Sequence, residues 1–181
     1  PFRREGRLAA EAILTTDLVA KQVYRSAKIG GVTVEVAGIA KGSGMIAPNM
    51  ATMLSYLVTN LSLGKKEIQD FLGAAVDDSY NCLSVDTDTS CSDSVMLFST
   101  GRKKVKLTPK VRAQFLELLT AASADLAKMI ARDGEGATKL LEIQVGSAKT
   151  AGQARSVALS VVNSPLFKAA MHGSDPNWGR I

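Results

Sequence analysis

The stretch VTVEVAGIA, residues 32–40, and the stretch MLSYLVTN, residues 53–60, are two apolar runs joined by the loop KGSGMIAPNMAT, residues 41–52. The first run alternates apolar and polar residues and is rich in β-branched side chains, which predicts a strand that follows the Gly30-Gly31 turn. The second run predicts a buried strand. The joining loop contains glycine, proline and asparagine, which favour turns. We therefore expect the loop to be held rigidly by a strand on each side.

The bond between Ala51 and Thr52 is the point of this loop that suggests chemistry. A threonine hydroxyl is a poor nucleophile without a neighbouring base, and the α-amine of a chain that begins with threonine, with a pKa of about 7.7–8.0, can be that base. Such a nucleophile requires cleavage before Thr52. Gly42 and Gly44 permit unusual backbone angles, and the small side chain of Ala51 leaves the bond accessible. The loop is a candidate self-cleavage site, although most loops of this composition only connect strands.

Four stretches of the chain resemble one enzyme family, in the same order. Residues 41–54 are similar to the processing site of the ornithine acetyltransferases, bifunctional enzymes of the acetyl cycle in arginine biosynthesis. The other three stretches are AILTTD (residues 12–17), DGEGATK (residues 133–139) and the segment from NSP to DPNWGRI (residues 163–181). Because they span almost the whole chain, we treat residues 1–181 as a single segment of a catalytic domain.

The resemblance implies a fold and a reaction. The fold is α/β, the layered αββα sandwich of the ornithine acetyltransferase and aminopeptidase superfamily. The reaction is acyl transfer, in which Thr52 takes the acetyl group from N-acetylornithine and glutamate then accepts it. Some members also use acetyl-CoA as donor. No cofactor is implied, and the two cleaved chains would stay together as an α/β hetero-oligomer.

The resemblance also implies a set of substrate-binding residues besides Thr52. Thr15 would contact substrate, with Thr16 adjacent to it. Lys41 would pair with a substrate carboxylate, and Glu135 would receive the ammonium of ornithine or assist proton transfer. Each also has a structural interpretation, as a turn residue, a surface lysine or an exposed loop residue. Family chains are longer, and we expect the oxyanion hole to lie in a region outside these residues.

Two other functions fit the same residues. One is an amidohydrolase or aminopeptidase of the same superfamily, in which water replaces glutamate. The other is a non-catalytic fragment or binding domain, in which the candidate side chains do not converge. Whether Lys41, Thr52 and Glu135 line one pocket would separate these possibilities.

Composition limits the partners that we expect. The net charge is +5, but aromatic residues make up only 5% of the chain, which argues against a nucleic-acid surface with stacking platforms. No apolar run approaches the roughly 18–20 residues of a membrane span, and the first residues lack the apolar core of a signal peptide. We therefore expect a cytoplasmic protein, or a mitochondrial or plastid one in a eukaryote.

Cysteine usage and the acidic segment argue against disulfides and metal. Cys82 and Cys91 have neither CxxC nor metal-ligand spacing, so a reduced pair is expected. The segment DTDTSCSD, residues 86–93, lacks the glycine and the bidentate glutamate of a calcium loop. We predict a hydrogen-bonded turn near the site.

The remaining sequence predicts further elements. The segment up to Leu14 is interpreted as a strand, and Thr108-Pro109 is a capped start of a long helix. The other predictions are helices over residues 65–80 and 153–162 and after Ser164-Pro165, and strands over residues 95–99 and 140–145.

Overall fold

A computed structural model of the protein describes residues 2–47, 53–88 and 92–181, with the side chains of residues 2–5 left out. Its strands are β1 (Lys21–Ile29), β2 (Val32–Lys41), β3 (Leu54–Leu61) and β4 (Ser94–Lys103). Its α-helices are α1 (Phe2–Ala12), α2 (Lys65–Asp77), α3 (Pro109–Arg132), α4 (Ala151–Val162) and α5 (Pro165–His172). Short 3-10 helices cover Tyr80–Cys82 and Trp178–Arg180.

The four strands form one mixed sheet in the order β1-β2-β3-β4. β1 and β2 are antiparallel, as are β2 and β3, whereas β3 and β4 are parallel and are joined through α2. Lys41 at the end of β2 pairs with Leu54 at the start of β3, and Leu54 pairs with Ser94 at the start of β4. One edge of the sheet therefore collects the ends of three strands, and the loop that follows Lys41 begins there.

Helices α2 and α3 pack together and cover one face of the sheet. Phe115 of α3 is fully buried and meets Phe71 of α2 edge to face, with ring centroids 4.9 Å apart. Burying a side chain of this size contributes about 1.5–3 kcal/mol. Helix α3 begins at a cap, because the Thr108 hydroxyl accepts the Val111 N–H at 3.3 Å and Pro109 occupies the first turn. This helix ends at Arg132, close to the sheet edge that carries Lys41.

The opposite face of the sheet is apolar and open. Tyr24, Met96 and Phe98 point away from the helices and are 60%, 42% and 50% exposed. Among the described residues, α2 and α3 thus form a helical layer on a mixed sheet, which confirms the predicted α/β class. In an αββα arrangement the second sheet packs on such a face.

Three details of the sequence prediction differ from the structure. The opening segment is helix α1, not a strand, because FRREGRLAAEA consists largely of strong helix formers. Strand β1 was not predicted; it forms because it pairs with β2 along its whole length. Residues 140–145 form no strand, since the described sheet ends at β1 and β4 and offers them no partner. They instead line a groove of about 450 Å³ beside α3 and α4.

Among the helices that the structure describes, none is both long enough and apolar enough to cross a membrane.

Candidate active site at the edge of the sheet

Lys41 occupies the last position of β2 and is only 6% exposed. Its Nζ donates a hydrogen bond to Oγ1 of Thr15 at 3.3 Å. Of the two adjacent threonines, Thr15 is the one whose hydroxyl meets this lysine. The sheet therefore holds a largely buried cation against an exposed hydroxyl.

Asp17 connects the Thr15 loop to the backbone after Lys41. Its Oδ1 accepts the N–H of Gly42 at 2.6 Å and a hydrogen bond from Nζ of Lys21 at 2.6 Å. Its Oδ2 accepts the N–H of Thr15 at 3.3 Å. Burial would raise the pKa of Asp17, but the hydrogen bonds from Gly42 and Lys21 and the positive charge of Lys21 lower it below the ordinary value.

Asp133 joins the same cluster from the end of α3. Its Oδ2 accepts hydrogen bonds from Nζ of Lys21 at 2.5 Å and from the N–H of Leu18 at 3.0 Å. Its carbonyl oxygen accepts the hydroxyl of Ser43 at 2.6 Å. The loop after α3 is thus fastened both to the Thr15 loop and to the loop after β2.

Glu135 lies against the glycine loop. Its N–H donates to the carbonyl oxygen of Ser43 at 3.1 Å. A Cβ on Gly44 would lie 2.8 Å from Cδ of Glu135, so the close approach of this carboxylate requires glycine there. Glu135 is exposed and lines a pocket of about 200 Å³. Neither Lys41 nor Thr15 lines this pocket, so Glu135 is related to them through hydrogen bonds between their loops and not through this cavity.

The loop itself is fixed by a further carboxylate. Gly42 has a φ of 152°, a backbone conformation that favours glycine. Met45 has a φ of 56°, which is uncommon for a residue other than glycine. Asp86 accepts the N–H groups of Met45 at 2.5 Å and Ile46 at 2.9 Å. Within the acidic segment the Asp88 N–H donates to Oδ1 of Asp86 at 3.1 Å, so the predicted hydrogen-bonded turn is present there and supports the loop.

Asp93 binds the backbone of Met53, the first described residue after the loop. Its Oδ1 accepts the N–H of Met53 at 2.6 Å, while its Oδ2 is buried and has no hydrogen-bond partner among the described residues. Burial raises the pKa of Asp93, and the Met53 hydrogen bond and the charge of Lys41 only partly offset this. The Asp93 carboxylate therefore accepts a hydrogen bond from the backbone of Met53 and also interacts with the charge of Lys41.

The predicted site residues fall into two groups. Thr15, Lys41 and Glu135 lie on loops that share hydrogen bonds at one edge of the sheet. Ala51 and Thr52 lie outside the described residues, as does Cys91, so their predicted roles stay predictions; Cys82 is a free, exposed thiol. Within residues 2–47, 53–88 and 92–181, no three potential metal-ligand side chains cluster.

Sequence reasoning missed the carboxylates and the lysine that hold these loops. Asp17 was visible as the polar end of the TTD motif, and Asp133 as the first residue of DGEGATK. No sequence pattern around Lys21 indicated a role at the site, since one of its partners, Asp133, is brought to it only by the fold.

Comparison with known proteins identifies the family to which the sequence belongs. The sequence profile of the ArgJ family matches residues 3–181. The chain belongs to the ArgJ family. It is similar to the arginine biosynthesis bifunctional protein ArgJ of Ruegeria pomeroyi, with 48% identity over 173 residues, 96% of this chain and 42% of that protein. The protein of the same name from Rhizobium meliloti is 47% identical over 180 residues, 96% of this chain and 44% of the relative.

A solved ArgJ structure supports the same fold. The crystal structure of the arginine biosynthesis bifunctional protein argJ from Bacillus halodurans matches with a TM-score of 0.67 and 41% identity, over 71% of this chain and 62% of that one. The ArgJ-family chain described here spans less than half the length of the curated relatives named above. The family relationship supports the resemblance drawn from the loop and the three flanking motifs.

Proposed function

We propose that this chain carries the nucleophile and part of the substrate site of an acetyltransferase of arginine biosynthesis. The enzyme moves the acetyl group of N-acetylornithine to glutamate through an acetyl-threonine intermediate. The observation that carries the proposal is the convergence of three loops at one sheet edge, with Lys41 beside Thr15 and Glu135 against Gly44. Membership of the ArgJ family, whose relatives are named as bifunctional proteins of arginine biosynthesis, supports it.

The first chemical step is cleavage before Thr52. The Thr52 hydroxyl attacks the carbonyl carbon of Ala51 and gives up its proton, the C–N bond breaks, and the nitrogen takes up that proton and leaves as the α-amine of Thr52. Water then hydrolyses the resulting ester, which leaves a carboxylate on Ala51 and restores the hydroxyl. The hydrogen bond from Met53 to Asp93 supports this step, because it anchors the chain immediately after the reacting residue.

The second step is transfer through the same oxygen. The α-amine of Thr52 accepts the hydroxyl proton as Oγ1 attacks the acetyl carbonyl of N-acetylornithine. The collapse of the tetrahedral intermediate returns that proton to the departing amine of ornithine. The amine of glutamate then attacks the acetyl ester, and N-acetylglutamate leaves as the Thr52 hydroxyl is regenerated.

One site has to bind two amino acids in succession. Ornithine and glutamate share an α-carboxylate, for which the ammonium of Lys41 is the matching charge, with Thr15 as a neighbouring hydroxyl. They differ at the side-chain end, where the Glu135 carboxylate attracts the ammonium of ornithine. Acetyl-CoA is an alternative donor that this chemistry also accommodates.

Mass spectrometry of the full-length gene product tests the proposal. We expect two chains, the second beginning with Thr52, in a protein that converts N-acetylornithine and glutamate to ornithine and N-acetylglutamate. Intact chain alone in a preparation with full transferase activity would contradict the cleavage step. Release of acetate at the same rate with and without glutamate would instead identify a hydrolase.

A further inference from the structure

Lys21 is a fully buried lysine at the first position of β1, beside Ala40 of β2. The side chains of Lys21 and Asp17 are both inaccessible to solvent, and that of Asp133 is 5% exposed. The ammonium lies 2.6 Å from Oδ1 of Asp17 and 2.5 Å from Oδ2 of Asp133. We call these three side chains the buried charge cluster.

The cluster contacts each loop that carries a proposed substrate-binding side chain. Through Asp17 it accepts the N–H groups of Thr15 and of Gly42, the residue after Lys41. Through Asp133 it accepts the N–H of Leu18, and the carbonyl oxygen of Asp133 accepts the Ser43 hydroxyl. The ammonium therefore contacts two of the three loops directly, through Asp17 and Asp133, and these two residues hold the third loop at Gly42 and Ser43.

The loop of Glu135 is part of the same arrangement. Glu135 follows Asp133 by two residues, and its N–H donates to the carbonyl oxygen of Ser43. Ser43 is thus held from two sides by the loop after α3. A shift of Asp133 would move Glu135 relative to the loop after β2.

Stability alone is a weak reason for such a cluster. A buried ion pair loses hydration that its Coulomb attraction only partly replaces, and apolar residues of similar size often give equal stability. The hydrogen bonds of this cluster, however, fix directions that apolar packing would leave free. The geometry that they fix is that of the proposed substrate site.

We propose that Lys21 is a positioning residue of the substrate site. Its ammonium holds Asp17 and Asp133, and these set the loops on which substrate binding depends. This inference rests on the function proposed above. Lys21 itself touches no substrate, so its loss should weaken the binding of both amino acids through the loops that it holds.

The test uses two variants of the full-length protein and one control. Lys21→Met keeps the length of the side chain and removes its charge. Asp17→Asn keeps an oxygen for the N–H of Gly42 and weakens the link to Lys21. The control is Thr59→Val, which removes a buried hydroxyl that donates to the Glu35 carbonyl oxygen at 2.8 Å, toward the other end of β3.

Two measurements are compared at equal folded fraction. The first is KM for N-acetylornithine and for glutamate. The second is amide hydrogen exchange, without substrate, in peptides that cover residues 14–20 and 41–46. We expect Lys21→Met to raise both KM values by at least about tenfold, since displaced loops weaken the ionic hydrogen bonds to substrate, each worth roughly ten- to a hundredfold in affinity. Exchange in both peptides should accelerate.

Asp17→Asn should also raise both KM values and accelerate exchange in both peptides. If Lys21→Met does not fold, Asp17→Asn tests the positioning role of the cluster. Thr59→Val should lower thermal stability and leave KM and exchange at the wild-type values. Wild-type KM and exchange in either folded cluster variant would overturn the inference. If the wild-type protein transfers no acetyl group, the proposed function fails, whereas the exchange data still report whether Lys21 holds the loops.

Discussion

The ammonium of Lys41 lies 3.3 Å from the hydroxyl of Thr15, although 26 residues separate them in sequence. Lys41 is buried at the end of β2, and Thr15 is exposed. The pair therefore presents a cation and a hydroxyl from the sheet interior to an accessible edge. That arrangement suits the α-carboxylate which ornithine and glutamate have in common.

We expect Lys41→Met to weaken both half-reactions. A hydrogen bond to a charged group contributes about 1.5–3 kcal/mol, so KM for N-acetylornithine and for glutamate should each rise roughly ten- to a hundredfold. Steady-state kinetics with each substrate varied in turn measures this. Lys66→Met, on the exposed surface of α2, is the matched control and should leave both values unchanged. Unchanged KM values in Lys41→Met would assign Lys41 a structural role.

Gly44→Ala should weaken the binding of the acetyl donor, N-acetylornithine, more than that of the acetyl acceptor, glutamate. The new Cβ would lie 2.8 Å from Cδ of Glu135 and would displace that flexible side chain. If Glu135 receives the ornithine ammonium, KM for N-acetylornithine should rise several-fold, roughly the effect of one weakened ionic hydrogen bond, and more than KM for glutamate. Gly73→Ala in α2, where a Cβ meets nothing within 4 Å, should change neither value. Equal effects on both substrates would remove this role from Glu135.

Asp93→Asn should flatten the dependence of stability on pH. Burial holds the pKa of Asp93 above its ordinary value of 3.8, so the native state binds more protons than the unfolded state between that value and the folded pKa. Stability of the wild type therefore falls as pH rises through this window. The melting temperature of Asp93→Asn relative to wild type should increase across the same interval. A difference that is constant with pH would contradict the shift.

The two cleaved chains should remain associated. A cut before Thr52 leaves β2 in one chain and β3 in the other, yet these strands are hydrogen-bonded neighbours from Lys41 and Leu54 to Val36 and Thr59. We expect both chains to elute together in size-exclusion chromatography and to separate only in denaturant. Recovery of either chain alone under native conditions would show that the sheet does not hold them.

Local patterns predicted three of the four strands that the structure describes and the long helix α3, but neither β1 nor the opening helix. Strands β2 and β3 follow from alternation and β-branched residues, and α3 from its Thr108 cap and apolar stripe. The strand over residues 140–145 was wrong because a strand requires a neighbour, which no local pattern provides. The strand predicted for the segment up to Leu14 was wrong because its apolar side chains were given more weight than the helix propensity of the residues in α1.

The site shows the same limit. Thr15, Lys41 and Glu135 were selected by their place in family motifs, and the structure brings their loops together. Lys21 resembled an ordinary surface lysine, since its burial depends on Asp133, 112 residues away. Long-range partners of this kind become visible only when the fold is known.

The central claim is that the Thr52 hydroxyl carries the acetyl group, and trapping that group tests it most directly. Full-length enzyme is mixed with N-acetylornithine without acceptor, quenched in acid and digested. The account predicts an acetyl group on the peptide that begins with Thr52, which glutamate discharges faster than water does. Thr52→Ala should show neither cleavage nor transfer, because one oxygen serves both reactions. Full acetyl transfer by Thr52→Ala protein would contradict the account.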